Sequence, residues 1–175
     1  LDQRYPAGSR VVIAPPPFRP GAVRVLSGGL VAAGGPLVCP SGKRIFFVGK
    51  AQAGGPWQIY ETKPGGGRPR AVTAMDAGAM DPAILSNGDL VFSSPVPQAG
   101  ATWKAGQTPV LYAQTTRGLP RRLTFGSTAA VEPTVLGDGR ILFVSARPSS
   151  TPAAAPNLAL FTVNNDGTEV TAFAL

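Results

Sequence analysis

One pattern occurs three times in this chain, and it constrains the fold more than any other feature. Pro36–Val48, Asp81–Ser93 and Glu132–Val144 each hold a proline, a short apolar strand, a tight turn with glycine and an apolar, β-rich run. A second echo follows each after a loop of variable length: Gln58–Thr62, Val110–Gln114 and Ala159–Val163. A glycine turn and a Leu/Val-Thr ending close each repeat, at Ala71-Val-Thr73, Arg122-Leu-Thr124 and Glu169-Val-Thr171. The turn glycines Gly42, Gly88 and Gly139 stand 46 and 51 residues apart. Repeats of that length built from four short strands predict the blades of a β-propeller. The expected class is all-β, with about three to four antiparallel four-stranded blades, complete or as part of a propeller.

Composition agrees with this class. The chain has 175 residues, with 22 Gly and 19 Pro, too many for a helical protein, and its 43% apolar fraction is enough for a core. The apolar runs are short, β-branched or aromatic, and bounded by Gly, Pro, Asn and Asp. The single cysteine, Cys39, excludes a disulfide within the chain; its place on the first strand of a repeat predicts a buried thiol. No apolar run reaches the roughly 18 residues of a membrane-spanning helix. The start at Leu1 rather than Met leads us to expect a leader or upstream region that is not in this sequence.

The pattern places blades at about 36–74, 81–125 and 132–174. Within them strand A falls at 36–39, 82–85 and 133–136, and strand B at 44–48, 90–93 and 140–144. Strand C falls at 58–62, 110–114 and 159–163, and a short strand D carries the Val/Leu-Thr ending. Asn87-Gly88 and Asp138-Gly139 predict type I′ hairpins between A and B. Residues 1–35 match the repeat poorly. There, Arg10–Ile13 and Ala22–Leu26 read as the last two strands of a preceding blade, or the segment is an arm laid on a partner. Pro15-Pro16-Pro17 between them cannot continue a helix or sit in a central strand.

Pro40-Ser-Gly-Lys-Arg-Ile-Phe-Phe47, Ile59-Tyr60 and the run from Gly65 to Thr73 resemble the WD40-like PD40 repeat found in the propeller of the periplasmic protein TolB and its relatives. The resemblance covers about 36–174. It implies the propeller fold and a periplasmic, peripherally membrane-associated protein. Propellers of that kind close with about six blades, so three and a fraction leave three forms open. They are a small four-bladed ring, part of a longer protein, or an arc capped by a partner.

The catalytic inventory is thin. With no histidine, Ser-His-Asp and Cys-His machinery is excluded, along with the commonest metal ligand. There is no nucleophile elbow, no phosphate-binding Gly-Lys-Ser/Thr loop and no haem-attachment motif. Gly65-Gly66-Gly67 is a turn with no helix after it. Asn164–Glu169 has a faint likeness to a calcium loop but reads as a hairpin turn. Asp81 and Glu132 share one pre-strand place in two blades, where a structural hydrogen-bonding role is expected. No catalytic residue, metal or cofactor is expected.

Charge and loops carry the functional expectation. Net charge is +7, with 12 Arg against 4 Lys. In an up-and-down blade the A–B and C–D turns share one face, and Lys43, Arg44, Lys63, Arg68, Arg70, Arg117, Arg121, Arg122 and Arg140 map to or near it. Such a face suits an acidic protein or anionic lipid headgroups. Nucleic acid is disfavoured because no aromatics interleave with the cations. The long B–C loops carry Trp57 and Trp103, candidate anchors for a partner that could equally cover the core edge. The partner-binding set is therefore Trp57, Trp103, Arg68, Arg70, Arg121 and Arg122. Together these point to a non-catalytic interaction module, an extrinsic subunit on a larger membrane-associated complex. The alternatives are a propeller domain of a hydrolase or peptidase whose catalytic residues lie outside this chain, and a propeller binding a small ligand.

Overall fold

The computed structural model describes residues 1–17, 20–97, 107–115, 118–125, 128–147 and 157–173. Trp103, Lys104 and Arg117 lie outside them. The described residues form fourteen strands, a single 3-10 turn at Pro20–Ala22 and no α-helix. The strands make four antiparallel sheets. A two-stranded sheet pairs β1 (Val12–Ile13) with β2 (Arg24–Val25). Three four-stranded blades follow. The first runs β3 (Ala32–Val38), β4 (Ile45–Lys50), β5 (Trp57–Thr62), β6 (Arg70–Ala71). The second runs β7 (Met80–Ile84), β8 (Leu90–Pro97), β9 (Gln107–Gln114), β10 (Arg121–Arg122). The third runs β11 (Ala130–Val135), β12 (Ile141–Arg147), β13 (Asn157–Val163), β14 (Thr171–Ala172). The chain is an all-β propeller fold of consecutive up-and-down blades. It divides into two compact units, Leu1–Met80 and Asp81–Leu175.

The innermost strands begin earlier than the proline pattern predicts, and the prolines themselves are the reason. Pro36, Pro82 and Pro133 each follow a residue with positive φ: Gly35 (59°), Asp81 (52°) and Glu132 (52°). In the first and third blades the register shifts there, between Gly34 and Leu37 and between Val131 and Thr134. A bulge accommodates the missing proline N–H, and the strand continues on its near side. Asp81 and Glu132 hold a backbone conformation that costs non-glycine residues energy. Asp81 puts its side chain to structural use, with Oδ2 accepting from Ser93 Oγ at 2.9 Å.

The A–B turns are not type I′. That turn needs positive φ at both central residues, and Asn87 and Asp138 do not have it. Leu85 N donates to Asp89 O, and Gly88 N donates back to Leu85 O. These bonds enclose a three-residue loop with glycine alone in the left-handed region, repeated at Leu136–Arg140. The Asn87 and Asp138 side chains accept from the backbone N–H two residues on, which favours this geometry.

The blades share two internal devices, the first in all three blades and the second in the first two. A strand-B phenylalanine stacks on a strand-C aromatic: Phe47 on Tyr60, Phe92 on Tyr112 and Phe143 on Phe161, with centroids 6.0, 5.8 and 6.0 Å apart. A hydroxyl just past strand D accepts a strand-C N–H, from Ile59 to Thr73 Oγ1 and from Leu111 to Thr124 Oγ1, both at 2.9 Å. In the third blade Phe173, not Val170, makes the backbone bond that Val72 and Leu123 make. Thr171 therefore corresponds to Arg70 and Arg121, and aligning it with Thr73 and Thr124 was three residues out of register. In the first unit Val11, Leu26, Leu30, Ala33, Ile45, Phe47 and Tyr60 form one core. In the second, Ala83, Leu85, Val91, Leu111, Leu123, Ile141, Phe143 and Val163 form another with their neighbours.

Candidate functional site: a basic turn end on the first unit

The net charge of +7 belongs to one unit. Residues 1–80 hold ten Lys and Arg against three Asp and Glu, while residues 81–175 hold six of each. Within the first unit the antiparallel order puts the A–B turn (residues 39–44) and the C–D turn (63–69) at the same end of the sheet. Lys43, Arg44, Lys63, Arg68 and Arg70 gather there. Arg24 joins them from β2, donating from Nη2 to Pro64 O at 2.8 Å. The one carboxylate at this end is Glu61, which accepts from Arg70 at 3.1 Å.

A cavity of about 320 Å³ opens in the C–D turn, lined by Glu61, Thr62, Lys63, Gly66, Gly67, Arg68 and Arg70. Gly66 and Gly67 have φ of 85° and 117°, values an L side chain resists. A Cβ on Gly67 would meet nothing within 4 Å, so the cup stays open above it. The Lys63 and Arg68 side chains make no hydrogen bond or ion pair among the described residues and project exposed charge. Arg44 lies over the Phe46 ring at 5.1 Å. Open cationic groups beside bare backbone suit the oxygens of an anionic partner.

The corresponding turn of the third blade is closed. Asn164 Nδ2 reaches Thr168 Oγ1 (3.0 Å) and Glu169 Oε2 (3.3 Å), and Asp166 Oδ1 accepts from Thr168 N and Oγ1. Those bonds from Thr168 hold the Asp166 carboxyl below its ordinary pKa. Arg121 takes the carbonyls of Asp166 (2.6 Å) and Asn165 (2.8 Å). This is a hairpin turn already holding a guanidinium. Among the described residues no group of three His, Cys, Asp or Glu is arranged to hold a metal ion.

Of the six residues picked from sequence, Trp103 lies outside the described residues and the other five have different surroundings. Arg68 and Arg70 line the basic cup, Arg70 already paired with Glu61. Arg121 is engaged with backbone carbonyls in the second unit. Arg122 donates from Nε to Thr124 O at 2.6 Å and lies 5.0 Å over the Phe125 ring. Arg140, mapped to the same face, pairs with Asp138 at 2.8 Å. Trp57 is only 8% exposed, so the structure spends it inside the first unit and not on an open loop. Its Nε1 donates to Asp2 Oδ1 (3.2 Å), Tyr5 packs against it, and Lys50 Nζ sits 5.4 Å from the ring centre. Lys50 also bonds Asp2 at 2.6 Å, which holds that carboxyl below its usual range. Sequence reasoning missed Arg24, whose signal was its place at the start of a strand-D echo in the poorly matching segment.

Comparison with solved structures identifies the fold. The chain is similar to Kuenenia stuttgartiensis hydrazine synthase, with TM-score 0.80 and 18% identity over 95% of this chain and 28% of the other. It is similar to a putative TolB from Agrobacterium tumefaciens, with TM-score 0.66 and 20% identity over 87% and 50%. It is also similar to a puromycin-hydrolysing peptidase of Mycobacterium tuberculosis, with TM-score 0.65 and 17% identity over 94% and 28%. The fold is that of a TolB-like propeller. The chain spans between about a quarter and a half of the length of these proteins. No protein-family model matches it, and no curated protein matches it.

Proposed function

We propose that this chain is a non-catalytic protein-interaction module, an extrinsic accessory or stabilising subunit that docks on a larger membrane-associated assembly. The docking surface is the basic turn end of the first unit, and its partner is an acidic protein surface. The observation that carries this reading is the confinement of the surplus positive charge to residues 1–80, with Lys63 and Arg68 open beside the cup. A concentrated field of one sign steers an oppositely charged partner and raises its association rate. Likeness to TolB in fold supports a periplasmic location for the assembly.

The test is gentle detergent extraction of the native protein from its source membranes, followed by intact-complex mass spectrometry. Co-migration with a defined assembly, lost by Lys63→Glu/Arg68→Glu and by washing at about 1 M salt, where screening shortens to about 3 Å, supports the reading. Recovery of the protein free of any partner overturns it and turns the search to small ligands or to a catalytic domain on the same polypeptide.

A further inference from the structure

Residues 11–13 and 24–27 are the outer half of another blade. Val11 stands where Ile59 and Leu111 stand. Its N–H goes to Ser27 Oγ at 3.0 Å, the bond those residues make with Thr73 and Thr124. Its carbonyl accepts from Leu26 N, as Ile59 O does from Val72 and Leu111 O from Leu123. β1 and β2 are thus strands C and D, paired as Val12↔Val25 in the place of Tyr60↔Ala71.

The inner half is not among the described residues, and its footprint is bare. In each complete blade the strand-C aromatic next to this position lies under a strand-B phenylalanine; Tyr60, under Phe47, is 8% exposed. Val12 holds that position here and is 48% exposed, beside Val25 at 49%. Val11 directs both backbone groups at β2, so antiparallel alternation turns those of Val12 to the opposite edge. No described strand pairs with that edge. Residues 8 and 9, near it in sequence, bond to the first blade instead, Gly8 N to Val31 O and Ala33 N to Ser9 O. An open strand edge beside an uncovered β-branched side chain is a template for another strand.

We propose that the free edge of β1 is completed by a β-hairpin of the repeat's own A–B kind, supplied by polypeptide outside residues 1–175, with a large apolar strand-B residue seated over Val12. A hairpin fits better than a single strand, because strand B of the first blade, with a strand on either side, is buried throughout: all six residues of β4 are buried. A second copy of this chain does not fit, because its three A–B pairs are already committed within their own sheets. This proposal is independent of the basic end.

The third blade supplies the probe. A second copy of Ala130–Arg147, which holds β11 and β12, is joined ahead of residue 1 through a Gly/Ser linker, giving a millimolar effective concentration. A scrambled hairpin of the same composition is the control. Hydrogen exchange at the Val12 amide should slow about tenfold or more with the native hairpin only. Val12→Asp in the chain, or Phe143→Ser in the appended copy alone, should each cancel the protection; the second still decides if the first does not fold. Equal exchange with native and scrambled hairpins overturns the proposal. So does concentration-dependent dimerisation of residues 1–175 that protects Val12, since a second copy then fills the edge.

Discussion

Arg24 and Arg121 hold the same place, at the start of a strand D, and make the same contact with the C–D turn of the following blade. Arg24 donates to Pro64 O, and Arg121 donates to Asp166 O and Asn165 O. Residues that sequence reads as exposed basic charge act here as clasps between consecutive sheets within a unit. The guanidinium suits this role because its rigid fork presents several N–H donors at once, and that of Arg121 reaches two carbonyls.

Arg121→Ala should therefore lower the stability of the second unit by about 1 kcal/mol, the usual net value of such bonds. Arg24→Ala, which loses one bond, should cost less. Urea denaturation of both variants checks the order. A stable Arg121→Ala protein with weakened partner retention would return Arg121 to the binding surface.

The hydroxyls past strand D hold buried backbone. Thr73 and Thr124 are 4% and 6% exposed, and each accepts a buried strand-C N–H, from Ile59 and Leu111. Thr73→Val and Thr124→Val keep the shape and strand the donor, at a cost of about 1–3 kcal/mol each. The Ser variants, which keep the acceptor, should lose less. Thermal unfolding of the four proteins decides it, and equal losses for Val and Ser would show that the methyl, not the hydroxyl, matters.

The propeller class was legible because its signals are local: the glycine turns, the Leu/Val-Thr endings and the Phe and Tyr of strands B and C recur at fixed offsets. What misled was chemistry that depends on distance. A Pro–strand boundary hides the bulge before it, since nothing in Asp81-Pro82 announces a positive φ for an aspartate. Asn87-Gly88 favours two turn types, and the side-chain bond to Asp89 N selects the longer loop. Thr171 falls into the Leu/Val-Thr pattern by coincidence, and only hydrogen-bond register reveals the offset. For the site, Arg68 and Arg70 were readable as basic turn residues. The engagement of Arg121 and Trp57 was not, because their partners lie 45 and 55 residues away.

Gly34 is the seat of the N-terminal segment. A Cβ there would run into the Tyr5 ring. Gly34→Ala should displace residues 1–5, part Asp2 from Lys50 and Trp57, and shift Trp57 fluorescence to the red. Because ring and Cβ compete for one space, Tyr5→Ala should absorb much of the penalty, giving a non-additive double-mutant cycle. Additive losses would mean that the segment does not rest on Gly34.

Cys39 links stability to pH. Its thiol is buried, with Sγ 3.0 Å from Ser41 Oγ and accepting from Arg44 N at 3.3 Å. The Ser41 bond, with the backbone donors after it, lowers its pKa from 9.0 to about 7. An acid whose folded pKa lies below its unfolded one releases its proton first in the native state, so stability rises with pH between those values. The contribution should be absent below about pH 7, grow from pH 7 to 9 and be complete above it. Tyr60, whose pKa burial raises above 10.0, acts beyond this window. Urea midpoints at pH 6.5 and 9 should separate in the native protein and converge in Cys39→Ala, with Ser41→Ala between them. Comparing slopes, not absolute stabilities, removes the packing cost of the alanine, and an unchanged slope in Cys39→Ala would assign the pH dependence to another group.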